Sequence, residues 1–386
     1  QIRKDPLANP VRSLAHELSV RIEAGSVSFD DLSGLVKALS DHAFAEQAKY
    51  LAAYLGMDEA SREHHTLEGM VSAISDRFET VEEFAAYWQR CRDIAVFTAH
   101  PTFILSGRQR ELLIKAVTDP GFDLTAAMKD VVHHPDPDIT LGYEHEAALD
   151  AIRHGTGAIL KLTRLILEEA RRRFPDSWQD VLPAPVKLAA WVGYDMDGRN
   201  DIGWRDVIRH RLIEKQFRLA FYADELKAIA PAGDAGKRLA DKLAAVLAHT
   251  EKGLELFSVD DESPEVIAAA ADHLTSEAPG RITSIAPLLA LIDETIAEAD
   301  DDAKLALISL KAMVKNFGFG AGEIHFRLNA SQIRNAARSV LNLVSDHDLF
   351  GRRALERVQE AIETTRPVSV NFASLAIEKS SASRLM

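Results

Sequence analysis

The sequence has few of the features that mark secreted, membrane and nucleic-acid-binding proteins. Its 386 residues include one cysteine, Cys91, so no disulfide can form within the chain, and we find no signal-peptide pattern. No apolar run approaches the ~20 residues that a membrane helix needs. Basic residues are outnumbered, 45 Lys and Arg against 59 Asp and Glu, for a formal net charge of -14. We therefore expect a cytoplasmic protein that binds neither nucleic acid nor membrane.

Two sequence patterns that hold nucleotide phosphates are also missing. The chain has no GxxxxGK[ST] loop, and no GxGxxG at a junction between a strand and a helix. An acidic total charge is still compatible with a local basic pocket, because the field inside a pocket is set by nearby charges. A small anionic substrate therefore remains a candidate ligand.

Helical periodicity dominates what is present. Hydrophobic residues make up 47% of the chain, which is enough for real cores, and at ~150 residues per domain the length predicts two or three units. Apolar residues of 32–39 repeat at helical spacing, after Ser28 as a predicted N-cap with Asp31 three residues later. Residues 375–386 still have a helical pattern and no stop signal, so we expect the chain to be truncated at its C-terminus.

Three stretches have strand character, namely 94–100, 187–193 and 323–329. Long helical segments separate them, which rules out hairpins and is typical of parallel strands. We predict a mainly α protein that contains an incomplete parallel (β/α) barrel embedded in many long helices. Residues 1–92 would form an amino-terminal helical region, and 93–386 the front half of the barrel with long helical insertions.

His100 is the residue on which the first strand candidate ends. In a parallel barrel, the carboxyl end of each strand faces the active site. Pro101 then turns the chain sharply, which fits the end of a strand. The alternative is a core or capping histidine, and the position favours a functional one.

Polar side chains follow the other two strand candidates as well. Asp195 and Asp197, beside Gly198, fit either a ligand-binding loop or a turn that caps the next helix, and the spacing supports both equally. His325 and Arg327 share one face of the third stretch. They fit a row that faces a barrel lumen or, slightly better on this pattern alone, a half-exposed edge strand.

Other histidines have simpler interpretations. The adjacent pairs at 64–65 and 133–134 point apart and lack carboxylate or cysteine partners at useful spacing, so we do not expect a metal there. His210 and Arg211 belong to a basic helical segment, 205–218. We interpret it as a solvated or ion-paired helix face.

Together these segments resemble the phosphoenolpyruvate carboxylase family. Residues 96–102 (VFTAHPT) look like its TAHPT motif, 191–198 (WVGYDMDG) like its W-x-G-G-D-R-D-G, and 317–329 like its F-G…L-D-I-R-Q-E segment. Residues 9–56 resemble its amino-terminal helical region. The order and the wide spacing agree, and the similarity spans essentially all of this chain but only the front part of the family's protein.

The resemblance implies a lyase that fixes carbon dioxide. Such an enzyme joins bicarbonate to phosphoenolpyruvate with Mg²⁺ or Mn²⁺, and it yields oxaloacetate, an intermediate of the tricarboxylic acid cycle, and phosphate. His100 would be the catalytic histidine, with Arg199 and Arg327 as further catalytic groups that hold the anion. The substrate-binding residues would be Thr98, Trp191, Asp195, Asp197 and Gly198.

Several positions depart from the family's pattern. Met196 stands where the family has a substrate-binding arginine, and Tyr194 replaces a glycine, so we expect it to crowd the pocket. His325 stands at the position of a metal-binding aspartate, and Ala286 at that of a second metal carboxylate. His325 remains a candidate metal ligand, although Mg²⁺ prefers oxygen.

Three hypotheses follow from the balance of matches and departures. The first is a divergent phosphoenolpyruvate carboxylase with His100 as acid and base. The second is a non-catalytic relative, a binding or scaffold protein that has lost the metal and anion sites. The third is a different reaction on a related substrate, with Arg199 and His325 in new roles. We predict that this chain alone is inactive as a carboxylase, because half a barrel cannot enclose the site. Its expected partner is the missing C-terminal half, and a homo-oligomer is left open.

Overall fold

The chain is mostly helical, with one small parallel sheet. A computed structural model describes residues 9–57, 66–98, 105–136, 139–195, 202–231, 233–258, 263–325, 330–340 and 351–364. Among them, no helix is both long and apolar enough to cross a membrane. The chain divides into two compact units, one of residues 1–66 and 100–138 and the other of residues 67–99 and 139–386.

The described residues form fourteen α-helices and three strands, with one 3₁₀ turn at Trp178–Asp180. In chain order the helices are α1 (Pro10–Glu23), α2 (Phe29–Tyr54), α3 (Leu67–Ser75), α4 (Val81–Trp88), α5 (Gly107–Thr118), α6 (Leu124–Met128), α7 (Leu141–Arg173), α8 (Trp204–Ile229), α9 (Asp234–Phe257), α10 (Pro264–Thr275), α11 (Ala286–Glu298), α12 (Asp301–Phe317), α13 (Ala330–Val340) and α14 (Arg352–Thr364). The strands are β1 (Asp93–Phe97), β2 (Val186–Ala190) and β3 (Glu323–Ile324).

The first unit contains α1, α2, α5 and α6. The predicted start of α2 is confirmed, since Ser28 Oγ accepts from Asp31 N at 3.1 Å and Asp31 Oδ2 accepts from Ser28 N at 2.9 Å. Phe44, Leu112 and Met128 form its small core. Helix packing rather than capping must supply most of the stability, because each cap contributes only about 1 kcal/mol.

The sheet of the second unit has the order β1-β2-β3, with both pairs parallel. This confirms the prediction of three parallel strands separated by helical segments. β2 is the central strand and its Leu188 and Ala189 are buried, whereas Ile94 and Val96 of β1 are more than 40% exposed. Because the order places β1 beside β2 alone, β1 is an edge strand of the described sheet, and closure into a barrel stays a prediction.

Helices α7, α8, α9, α11 and α12 bury the main core of this unit. The core joins Leu188 of β2 to Leu219 of α8, Leu243 of α9 and Leu310 of α12. A second core forms around Phe84 and Trp88. Its other buried members are Val71, Ile166, Leu167, Ala170, Trp178, Val181, Leu305 and Ile308. Helix α8 begins after the carboxyl end of β2, so its first turns lie close to that edge of the sheet.

Candidate functional site

The candidate site is the carboxyl edge of the sheet, where three segments meet. The register pairs Phe97 with Ala190, and Ala190 with Ile324. The residues that follow these three positions therefore share one edge. Thr98 follows β1, Trp191 follows β2 and His325 follows β3.

Trp191 and His325 lie side by side at this edge. Their ring centroids are 6.2 Å apart, and His325 N donates to Ala190 O at 3.1 Å. Asp195 lies at the end of the same turn as Trp191. Of the predicted substrate-binding residues, Thr98, Trp191 and Asp195 are described. The other two, and the three predicted catalytic residues, lie outside the described residues: Asp197, Gly198, His100, Arg199 and Arg327.

The turn after β2 requires a glycine at position 193. Gly193 has φ +88°, and a Cβ there would lie 2.5 Å from His210 Nδ1 of α8. Both the left-handed backbone and the contact exclude a side chain. The next residue, Tyr194, donates its backbone N–H to Trp191 O at 2.9 Å, which closes the turn.

Tyr194 is buried and has a polar partner on α8. Its side chain is 1% exposed, and its hydroxyl donates to Glu214 Oε1 at 2.6 Å. The phenol thereby joins a group of polar side chains from α7 and α8. The expectation that this tyrosine crowds a substrate pocket stays a prediction.

Five side chains form this group, which we call the Glu214 cluster: His145, Tyr194, His210, Arg211 and Glu214. Arg211 donates to Glu214 Oε2 at 2.6 Å, and His145 Nε2 lies 3.4 Å from Glu214 Oε1. The rings of His145 and His210 stack with centroids 4.0 Å apart. Our interpretation of 205–218 as a solvated or ion-paired face holds for Arg211 and is wrong for His210, which is 5% exposed.

The Glu214 cluster fixes the charge of its members. Burial raises the pKa of Glu214, but the hydrogen bond from His145, the charge of Arg211 and the Tyr194 hydroxyl outweigh it and hold that pKa below its usual range. Burial and the charge of Glu214 raise the pKa of the Tyr194 phenol. At neutral pH the cluster therefore holds a carboxylate, a neutral phenol and a guanidinium.

His210 makes stability depend on pH in the range between about 4 and 6.5. Burial and the imidazole of His145 lower its pKa to about 4, although Asp206 and Glu214 oppose the shift. An unfolded histidine titrates near 6.5, so between these values the unfolded chain binds a proton that the folded chain does not. Stability is then complete above about 6.5 and is lost as pH falls towards 4, by up to about 3 kcal/mol.

We expect His210→Phe to remove this part of the pH dependence. Phenylalanine keeps an aromatic ring against His145 but cannot titrate. Urea unfolding at several values between pH 4.5 and 7 should give a shallower slope for the variant. Equal slopes for the two proteins would contradict the assignment, whatever their absolute stabilities.

A cavity of about 900 Å³ adjoins the cluster between α7, α8 and the end of α9. Both His145 and His210 line it, as do Glu146, Arg153 and Glu251. Its walls carry both signs of charge. The cavity is partly open to solvent, so protons can reach His145 and His210 through it.

The described residues do not fit the divalent metal that the resemblance implies. They contain no group of three metal-binding side chains close enough to share an ion. His325 faces the Trp191 ring, and Ala286 begins α11 without a side-chain oxygen. A hard Mg²⁺ needs several oxygen ligands, which these two positions do not supply.

The histidine pair at 133–134 has a structural role where the structure describes it. His133 Nε2 lies 2.6 Å from Asp41 Oδ1, and Gln109 Nε2 lies 2.9 Å from His133 Nδ1. Both ring nitrogens are therefore engaged by protein. The pair at 64–65 lies outside the described residues.

Comparison with known proteins leaves the family open. The sequence matches no protein-family model and no curated protein.

Sequence reasoning missed the polar row on α8. His210, Glu214, Arg218 and Tyr222 recur every fourth residue and are all buried. Residues four apart lie on one helix face, so the spacing itself was a signal. A polar residue at every fourth position, next to apolar neighbours on the same helix, could have predicted an inward polar row.

Proposed function

We propose that this chain is the front part of a divergent phosphoenolpyruvate carboxylase-type protein. Its reaction would join bicarbonate to phosphoenolpyruvate and yield oxaloacetate and phosphate. One observation supports the proposal: three parallel strands lie in the order β1-β2-β3, and each ends within or directly before one of the three segments that resemble the family.

The proposed chemistry assigns roles to the predicted site residues. His100 would move a proton as acid and base, and Arg199 and Arg327 would hold the phosphate and carboxylate groups of the substrate. Trp191 would wall the pocket beside His325, as the described geometry supports. A divalent ion would stabilise enolate charge in such a reaction, but the described side chains do not supply the oxygen ligands that such an ion needs.

The exposed side chains of β1 support the expectation that a further segment is needed. Ile94 and Val96 are more than 40% exposed, so this strand leaves apolar side chains in contact with water. Carboxylation proceeds through reactive intermediates that an enclosed site protects from hydrolysis. The remaining enclosure would come from the expected C-terminal half.

We further propose that the protein is cytoplasmic.

We expect no oxaloacetate production by the 386-residue chain alone. An assay that couples oxaloacetate to NADH oxidation, with phosphoenolpyruvate, bicarbonate and Mg²⁺ or Mn²⁺, should stay at background. The same assay on the protein with its natural C-terminal continuation should show turnover. Clear turnover by the 386-residue chain would refute the need for a second half.

In the continued protein, His100→Asn should lower kcat by about 10²–10⁴-fold, the usual contribution of acid–base catalysis. His154→Asn is a matched control, because His154 is an exposed residue of α7 whose Nδ1 contacts only Asp150 O among the described residues. The control should keep full activity. Equal effects of the two substitutions would count against a catalytic His100.

The alternative is a non-catalytic binding protein on the same fold. It is favoured by Met196, Ala286 and His325, which together remove charge from a site built for an anion and a metal. Calorimetry with phosphoenolpyruvate on the continued protein separates the two hypotheses. Binding heat without turnover supports the alternative, and turnover supports the enzyme.

A further inference from the structure

The turn Trp191–Asp195 carries two of the proposed substrate-binding residues at its ends. It leaves the sheet after Ala190, and its own backbone bond joins Tyr194 N to Trp191 O. Tyr194 sits between those ends and is the residue whose side chain reaches into the helix layer. Its hydroxyl, at 2.6 Å from Glu214 Oε1, ties the turn to α8.

Glu214 is suited to hold that hydroxyl in one place. It is 4% exposed, and it receives one contact from each of three elements. Tyr194 comes from the turn, His145 from α7 and Arg211 from α8 itself. Both carboxylate oxygens accept hydrogen bonds, so the group cannot rotate without breaking a buried, charge-assisted hydrogen bond. Such bonds are stronger than hydrogen bonds between neutral groups.

The same helix braces the sheet elsewhere with different residues. Arg218 donates to Gly320 O at 2.9 Å and to Ala321 O, and Tyr222 OH donates to Gly318 O at 2.8 Å. Those contacts hold the approach to β3. The contact of Glu214 with Tyr194 is therefore not required to attach α8 to the sheet, and it acts on the turn.

We propose that Glu214 is a positioning residue for the candidate site. It holds Tyr194, and through Tyr194 it sets the places of Trp191 and Asp195 at the sheet edge. The importance of those two residues rests on the proposed function, whereas the hold on the turn does not. The chain has a tyrosine where the family it resembles has glycine, so this anchor belongs to the chain's own sequence.

The test compares two single-atom deletions in the 386-residue chain. Tyr194→Phe removes the hydroxyl that contacts Glu214, and Tyr222→Phe removes an equally buried hydroxyl on α8 that contacts Gly318. Amide hydrogen exchange of residues 191–195 is measured alongside urea unfolding. Tyr194→Phe should speed exchange in the turn about tenfold, as loss of one buried hydrogen bond implies.

The control fixes how the result is understood. Tyr222→Phe should lower global stability to a similar degree and leave exchange in the turn as in the wild type. If Tyr194→Phe leaves the turn unchanged, or if both variants speed it equally, the positioning role is wrong. A hydroxyl with only a structural role would lower the free energy of unfolding without a specific increase in amide exchange of residues 191–195.

A double-variant cycle ties the effect to Glu214. Glu214→Gln keeps the shape of the side chain and removes its charge, so it weakens the same contact from the other partner. The double variant with Tyr194→Phe should exchange no more than about twice as fast as the worse single variant, because coupled partners are not additive. Fully multiplied effects would show that the two residues act separately.

These outcomes are distinguishable from failure of the proposed function. Exchange needs neither substrate nor activity. A loosened turn in a protein that neither binds nor turns over phosphoenolpyruvate would keep the positioning role and end the carboxylase proposal. If Tyr194→Phe left exchange in the turn unchanged while the protein with its C-terminal continuation was active, the carboxylase proposal would stand and the positioning role would be wrong.

Discussion

Replacing Arg218 with alanine is expected to lower the free energy of unfolding by about 3 kcal/mol. Arg218 is fully buried, and its guanidinium bonds Gly320 O and Ala321 O while lying 4.2 Å from the centroid of the Phe317 ring. Alanine leaves two buried carbonyls without donors and opens a cavity. Burial lowers the pKa of Arg218 to about 10, and relief of that buried charge keeps the loss from being larger.

Urea unfolding of Arg218→Ala and of Arg209→Ala measures this effect. Arg209 is an exposed arginine on the same helix, and its loss should change stability by less than about 0.5 kcal/mol. Arg218→Lys should fall between the two, because an ammonium cannot offer the planar fork of a guanidinium. If Arg218→Ala matched the exposed control, the bonds to the two carbonyls would carry no net stability.

Gly322→Ala is the second change with a large expected effect. A Cβ at Gly322 would lie 2.4 Å from Leu188 O and 2.8 Å from Leu188 C. Both atoms are backbone of the central strand and cannot rotate away. The substitution must push β3 off β2, and we expect a loss of about 3 kcal/mol, at the upper end for added atoms in a packed place.

The matched control is the same substitution at Gly157, inside α7. A Cβ there meets nothing within 4 Å, so alanine should stabilise the helix by about 0.5–1 kcal/mol. Thermal or urea unfolding of both variants then shows opposite signs. A neutral Gly322→Ala would mean that β3 can move without cost.

The sheet was predictable because its signals are local. Each strand falls in a short stretch that contains β-branched or apolar residues, and 93–97, 186–190 and 323–324 lie within or beside the predicted stretches. Long helical connections made the parallel direction predictable too. Closure of a barrel was not testable in the same way, since it depends on strands beyond these three.

The Glu214 cluster was not predicted because periodicity ranks residues by hydropathy. On that scale a histidine, a glutamate and an arginine spaced four apart suggest a solvated face. The structure buries Glu214 and Arg218 because each finds partners in segments far along the chain, Tyr194 for one and Gly320 for the other. Pairing of this kind depends on tertiary contacts, and in the sequence only the four-residue spacing indicates it.

Arg218 also has a consequence for the order of folding. It joins α8 to carbonyls 102 and 103 positions later in the chain, directly ahead of β3, a strand of two residues. Loop closure over such a distance is slow, and the contacts of so short a strand cannot offset the chain entropy that closure costs. β3 should therefore pair last, onto a surface that α8 and β2 have already made, so that Arg218 governs the rate of unfolding more than the rate of folding.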